Sequence, residues 1–384
     1  MVNSRTKKCI HILVQASREA VAIHHVHAQV VAACSSFGPQ DVLYISGDHG
    51  HESLYPCQTT ITYLRYSKKG IKRMNSWKNI LKTRKLSKKL KALISEGDVI
   101  VADGLRVSAL ISPLVKKGQY IFTIVHGEFV SLEAFNSVQI AAMKSSNFHY
   151  IGVSKTVANS LIGVGFFGRQ VHSVINGIDI VNIKNNMLTK EVARNQLGFT
   201  KNDYVIGSLG RLEHEKQYDQ LIVQFSVYAK GDADARLLIV GGGSKYHELN
   251  KLVESLSIED KVVLTGYKDE GSKYLNAMDV FSMCSKTEGF ALAPVEALIA
   301  GLPLILNNID AFCELEEYAG SERVRICKDS SDFVSMFEYF KNNELPMSLD
   351  MTRFGHESMR EAYYALIAKE ALCRNIKSEY QGMV

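Results

Sequence analysis

The sequence has little of what marks a membrane-spanning, secreted or disulfide-stapled protein. No stretch of its 384 residues approaches the ~18 uninterrupted apolar residues that a spanning helix needs. The apolar run behind the basic start MVNSRTKK is short and strand-like, with no small-residue cleavage site after it, so it reads as a retained core strand and not as a signal peptide. The seven cysteines (Cys9, Cys34, Cys57, Cys284, Cys313, Cys327, Cys373) are odd in number, dispersed and free of C-x-x-C spacing, which points to reduced thiols in the cytosol. No internal repeat or low-complexity tract is evident.

What is present is ordinary for a globular enzyme: 46% hydrophobic and 22% charged residues. The length exceeds what one core usually supports, so two domains are expected. The net charge of +5 conceals an asymmetry. Residues 1–180 hold 22 Lys or Arg against 10 Asp or Glu, a balance of +12, and the remainder holds 23 against 30, a balance of −7. Such a field orients a molecule on an anionic surface.

Strand and helix patterns alternate through both halves with short connections, the signature of α/β doubly wound sheets. Strands are expected near 8–15, 41–46, 59–66, 98–102, 119–125 and 148–153, and again near 203–209, 235–240, 260–265, 279–283, 302–307 and 322–327. This predicts Rossmann-like domains over 1–180 and 181–350, with a terminal helical segment over 351–384. Between the strand series, VINGIDIVNIKNNMLTKEVARNQLGFTKND loses strand periodicity and reads as the linker.

The most informative constellation lies in the second half. Strand YVIGSLG runs into a turn holding Arg211 and Lys216, with a helix expected from about Glu215 to Tyr228. Strand VFSMCS runs into the loop KTEGFA with Glu288, after which Pro294 is expected at the first position of a helix that carries Glu296 in its first turn and ends at Gly301. Two cations suit a diphosphate, and two carboxylates suit sugar hydroxyls. Strand ends of this kind are where open α/β sheets bind ligands. Taken alone, Arg211 and Lys216 read as solvated surface charge and Glu296 as a first-turn glutamate complementing the helix dipole.

With GRL and its lysine, the E-x7-E pair Glu288 and Glu296, LLIVGGG, VVLTGY and GLPLI in register over residues 203–316, the chain resembles the retaining GT-B glycosyltransferases of family 4. The resemblance implies two Rossmann-like domains facing each other, closing over a nucleotide-sugar donor, with the last helix packing back on the N-terminal domain. It implies that Arg211 and Lys216 clamp the diphosphate and stabilise the departing nucleoside diphosphate, that Glu296 accepts the ribose hydroxyls, and that Glu288 contacts the donor sugar. The amides of Gly289, Phe290, Ala291 and Leu292 then hold sugar or phosphate oxygens, and Gly241, Gly242, Gly243 and Tyr267 wall the base. His126, ending YIFTIVHGEF, resembles the family's histidine beside the sugar, and Asp103 is a lesser candidate for acceptor contact. Asn176, Gly177 and Asp179 resemble its hinge. The family's glycine-rich loop after the first strand is missing, and Ser17 and Arg18 stand there; Gln217 and Cys284 replace a glycine and a proline, and Asn308, Ile309 and Asp310 replace a glycine-rich turn before Glu314.

Other patterns carry plainer readings. Asp232-Ala233-Asp234 spells a metal-diphosphate motif but precedes a strand, so it reads as a solvated loop. GGGSKYH lacks the third glycine of a dinucleotide fingerprint. His24, His25 and His27 have helical spacing without carboxylate partners and read as surface or packing residues. From Lys68 to Lys91 the chain is basic with no acidic residue and has apolar residues on one helical face. That face serves equally a core-facing helix or docking on anionic lipid, and no stacking-aromatic pattern supports nucleic acid.

The expected activity is transfer of a hexose or N-acetylhexosamine from a nucleotide-diphosphate sugar to a glycan or lipid-linked acceptor in bacterial envelope polysaccharide or lipopolysaccharide synthesis. UDP-sugars are favoured over GDP-sugars as co-substrate, with no other cofactor, no metal and no nucleic acid; the expected place is the cytoplasm, with a peripheral position on the inner face of the cytoplasmic membrane as the alternative that the basic segment leaves open. The alternatives are a sugar-nucleotide epimerase or phosphorylase on the same scaffold, and a non-catalytic nucleotide-binding subunit.

Overall fold

A computed structural model describes residues 8–15, 21–47, 52–66, 80–95, 97–116, 119–343 and 349–371. Ser17, Arg18, Cys373 and the first part of the basic segment lie outside them. The chain divides into two compact units, Met1–Gly177 with His356–Val384, and Ile178–Gly355.

The first unit is built on a seven-stranded sheet in the order β3-β2-β1-β4-β5-β6-β7. Its strands are β1 Cys9–Gln15, β2 Gln40–Ser46, β3 Thr60–Tyr63, β4 Val99–Asp103, β5 Tyr120–Val125, β6 Phe148–Gly152 and β7 Val171–Ser173. The second holds a six-stranded sheet in the order β10-β9-β8-β11-β12-β13. Here the strands are β8 Tyr204–Leu209, β9 Ala235–Val240, β10 Val262–Leu264, β11 Val280–Met283, β12 Leu304–Asn307 and β13 Val324–Cys327. Every pairing is parallel. Central strands are buried on both faces, which is why they read as continuous runs such as IVAD and YVIGSL and not as alternating patterns. The short β7 was absent from the expected set: three residues with partly exposed side chains give no hydrophobic signal.

In each sheet the chain starts at a central strand, winds outward one way, then returns to wind the other. The reversal falls between β1 and β4 in the first unit and between β8 and β11 in the second. Helices leave opposite faces of the sheet on either side of such a point, so a crevice opens there at the carboxyl ends of the strands. Both groups of functional candidates stand at these ends.

The stretch read as a linker is folded. Helices Ile180–Asn186 and Lys190–Leu197 fill it, capped by Asp179 and Thr189 side chains that accept from Asn182 and Val192 amides, and the second ends on Gly198 at φ 79°. Arg194 anchors it, donating from Nε to the Ala277 carbonyl at 3.1 Å and pairing with Asp279 at 2.6 Å. The segment shows no strand periodicity because its polar helices bury only a narrow stripe.

Helix His356–Ala371 belongs to the first unit and packs there against helix Val21–Cys34. Met359, Tyr363 and Ile367, four residues apart, are buried on one face, and Tyr364 stacks on Phe37 with ring centroids 5.1 Å apart. In the basic segment, helix Ile80–Leu93 buries Leu86 and Leu90 completely and leaves Lys85, Lys88, Lys89 and Lys91 exposed. Its apolar face therefore serves the core, each leucine contributing roughly 1.5–3 kcal/mol. Six cysteines, all but Cys373, are free thiols.

Candidate functional site

In the second unit, β8 ends at Leu209 and the chain turns through Gly210 and Arg211 into a short 3-10 turn, His214–Lys216. Gln217 follows in the left-handed region at φ 48°, and only then does helix Tyr218–Tyr228 begin. The single helix expected from Glu215 is thus broken at Gln217. A left-handed backbone is the physical reason a glycine suits this position.

On the opposite side of the reversal, β11 leads through Lys286 and Glu288 to helix Leu292–Ile299. The backbone N–H of Lys286 donates to the Glu215 carbonyl at 2.7 Å, which stitches the two loops together. Lys216 Nζ meets Glu288 Oε1 at 2.5 Å, with 17% and 11% of their side chains exposed. A cation and a carboxylate assigned to different parts of a ligand are therefore in contact. A partly buried, charge-assisted bond of this kind holds both groups in place at the strand ends. Arg211 stays outside it, with 69% of its side chain exposed and its guanidinium 3.6 Å from Glu215.

The helix begins at Leu292, two residues earlier than expected, so Pro294 is its third residue and Glu296 lies in the second turn. Proline is tolerated throughout the first turn, where its missing N–H has no intrahelical acceptor in any case. No side chain caps this helix start, and Ala291 supplies none. The first amides therefore stand available beside the loop. Glu296 is partly buried, has no hydrogen-bond or ion-pair partner among the described residues, and burial pushes its carboxyl up to about 7. Gly301 closes the helix at φ 82°.

The glycine run after β9 is a packing requirement. A Cβ on Gly241 would lie 1.9 Å from the Gly210 carbonyl oxygen, and one on Gly243 would lie 2.4 Å from that of Leu212. These glycines let the loop press against the Arg211 turn. Tyr267 is 78% exposed and donates from its hydroxyl to Asp269 at 2.9 Å. Phe290 turns inward, stacking near Phe354 with centroids 6.3 Å apart, so at the loop surface it offers its backbone and not its ring. Glu314 is buried and accepts from the Tyr318 hydroxyl at 2.7 Å. Asp232 is tied to the Tyr228 hydroxyl at 2.9 Å and to Lys341, which accounts for that pattern without a ligand.

In the first unit, Asp103 ends β4, His126 follows β5, and His27 projects from helix Val21–Cys34. His27 Nε2 lies 3.5 Å and His126 Nε2 3.4 Å from Asp103 Oδ1, and the two imidazole nitrogens are 3.4 Å apart. Burial would raise the Asp103 carboxyl, but the facing imidazoles of His126 and His27 hold it well below its ordinary range. Burial lowers His27 despite the pull of Asp103. The reading of His27 as lacking a carboxylate partner is corrected here, because that partner stands on a distant strand and no local spacing signals it. His24 is also buried, with Nδ1 3.3 Å from the Tyr44 hydroxyl, while His25 is exposed.

Residues 189–357 match the family described as glycosyl transferases group 1. Among curated proteins the chain is similar to a mannosylfructose-phosphate synthase of Agrobacterium fabrum, 36% identical over 41% of this chain and 37% of that protein. It also resembles the O-antigen biosynthesis glycosyltransferase WclY of Escherichia coli, 27% identical over 46% and 47%. The chain thus spans less than half the length of these relatives. Among solved structures, Anabaena HepE in complex with UDP and glucose superposes with a TM-score of 0.65 at 16% identity, over 98% of this chain and 99% of that one. A glycosyltransferase from Rickettsia africae gives 0.68 at 14%, over 97% of each. These likenesses show the fold, two Rossmann-like α/β domains of the GT-B class.

Proposed function

We propose, from the glycosyl transferases group 1 domain carried by residues 189–357, that the protein transfers a hexose or N-acetylhexosamine from a nucleotide-diphosphate sugar to a glycan or lipid-linked acceptor, with retention at the anomeric carbon. The observation that carries this reading is the meeting of Lys216, Glu288 and an uncapped helix start at the β8/β11 reversal. Lys216 and Arg211 take the diphosphate, the guanidinium as a planar fork and the ammonium as a point charge. As the glycosidic C–O bond breaks, negative charge grows on the β-phosphate oxygen, and these cations with the amides of Gly289 to Leu292 stabilise it without a metal. Displaced from Lys216 by phosphate, Glu288 is free to accept sugar hydroxyls. Glu296, which has no partner among the described residues, accepts the ribose hydroxyls, and Gly243 and Tyr267 border the base, with uracil favoured over guanine. His126 of the first unit serves the transferred sugar.

The O-antigen role in the name of one relative supports envelope polysaccharide or lipopolysaccharide assembly as the process. The +12 balance of residues 1–180 and the exposed lysines of helix Ile80–Leu93 support work at an anionic cytoplasmic membrane face. No helix among the described residues is long and apolar enough to cross a membrane.

A thermal-shift panel of nucleoside diphosphates tests the reading. A ligand at about 100 times its dissociation constant stabilises by roughly 2.7 kcal/mol. UDP raises the melting temperature of the wild type and not of Lys216→Ala. A response to none of the nucleoside diphosphates sinks the assignment.

A further inference from the structure

Both oxygens of the Asp103 carboxylate are engaged inside the first unit. Oδ2 accepts from the Val14 backbone N–H of β1 at 3.4 Å, and Oδ1 faces His27 Nε2 at 3.5 Å and His126 Nε2 at 3.4 Å. What this carboxylate offers a ligand, it offers through a neighbour. Hydrogen bonds cluster near 2.7–3.2 Å, so the two imidazole contacts are long and share one oxygen. Charge then decides where the protons sit. An imidazole nitrogen that faces a carboxylate presents its N–H, because a lone pair there would meet negative charge. Burial works against the Asp103 charge, but the imidazoles of His126 and His27 hold the carboxyl well below its ordinary range, and the anion persists.

His27 carries the argument furthest. Its side chain is wholly buried, and its Nδ1 has no hydrogen-bond partner among the described residues. A proton on Nδ1 would strand an N–H without an acceptor and also turn a lone pair on the carboxylate, two penalties where the other tautomer has one at most. Nε2 therefore holds the proton. The same anion draws the His126 proton to Nε2, and the two Nε2 atoms stand 3.4 Å apart because both converge on one oxygen. That leaves His126 Nδ1 as a bare lone pair without a partner among the described residues. His126 keeps 19% of its side chain exposed while His27 keeps none, so of the two rings only His126 can meet a ligand.

We infer that Asp103 is a positioning residue which, with His27 as its second donor, fixes His126 as a hydrogen-bond acceptor, and that His126 accepts from a hydroxyl of the transferred sugar. The second half rests on the transferase reading, and the first does not. An acceptor-only nitrogen also sets specificity. It takes a hydroxyl or an amide N–H and repels a carboxylate, so a hexose or N-acetylhexosamine passes where a uronic acid with its carboxylate in that place fails.

Nitrogen NMR of the full-length protein at about pH 8 reads the tautomer directly, with the His126 signals identified as those lost in His126→Gln. The wild type shows Nε2 protonated and Nδ1 bare. In Asp103→Asn the amide oxygen stays on the Val14 N–H and the NH2 turns to the imidazoles, so both rings accept at Nε2 and the His126 proton moves to Nδ1. Donor kcat/KM then falls about 10–100-fold, because the sugar hydroxyl meets a donor. The wild-type spectrum decides alone if Asp103→Asn does not fold. A wild-type proton on Nδ1, or a tautomer unmoved in folded Asp103→Asn, overturns the inference whatever the activity. An inverted ring with donor turnover undiminished removes the sugar hydroxyl from His126. The expected tautomer in a protein that answers to no nucleoside diphosphate upholds the positioning and sinks the transferase reading alone.

Discussion

Two sheets wound the same way carry opposite chemistry at the same place. At the reversal of the first, a carboxylate is enclosed by two imidazoles; at the reversal of the second, a lysine grips a glutamate beside an uncapped helix. The two halves of the sequence differ in charge as well, +12 in residues 1–180 against −7 in the rest. Topology fixes where ligands bind and says little about which ones, so function has to be argued from side chains.

The sharpest way to break this contrast is to remove the second unit's cation. Lys216→Ala strips the diphosphate of a compact charge and leaves Glu288 unpaired; donor turnover should fall by about 10²–10³, measured as kcat/KM. A fall of less than tenfold removes Lys216 from the clamp.

Backbone packing comes next in size. Gly241→Ala forces a methyl to within 1.9 Å of the Gly210 carbonyl oxygen at a backbone φ of 150°, and destabilisation of about 2–4 kcal/mol is expected in denaturant unfolding. An unchanged midpoint would mean that the loop is free to move off the Arg211 turn.

Glu296 separates stability from binding. Its folded value of about 7 lies above the unfolded one, so the native state holds the extra proton and stability declines as pH rises from about 4.5 through 7. Glu296→Gln removes that penalty and should stabilise the ligand-free protein above pH 7 by roughly 1–2 kcal/mol. The same change should abolish the preference for ribose-bearing ligands, and wild-type donor affinity should fall as acid protonates the carboxylate. Equal donor affinity at pH 5.5 and 8 contradicts the role.

The smallest effect concerns the exposed pair. Glu215→Ala should change stability by less than about 0.5 kcal/mol, since Arg211 and Glu215 both face solvent. A larger loss in thermal unfolding would show that the turn depends on that contact.

The sequence was most legible where the physics is local. Continuous apolar runs marked the expected strands of both sheets, because burial on both faces leaves no alternation, and Arg211, Lys216, Glu288 and Glu296 stood out by their place after those runs. Legibility failed where a partner lies far along the chain. Nothing in the spacing of His24, His25 and His27 announces Asp103, and nothing near Lys216 announces Glu288. Short polar helices such as Ile180–Asn186 also escaped, since their caps at Asp179 and Thr189 are single residues in a stretch without periodicity. Gln217 illustrates a finer limit: the helix break there is set by a left-handed backbone, which a glutamine, unlike a glycine, does not announce.

A crystal structure of the protein with UDP tests the central claim most directly. The account predicts the diphosphate within hydrogen-bond distance of Arg211 and Lys216, with the ribose hydroxyls on Glu296. Density for UDP anywhere else, with Lys216 still clasping Glu288, contradicts it.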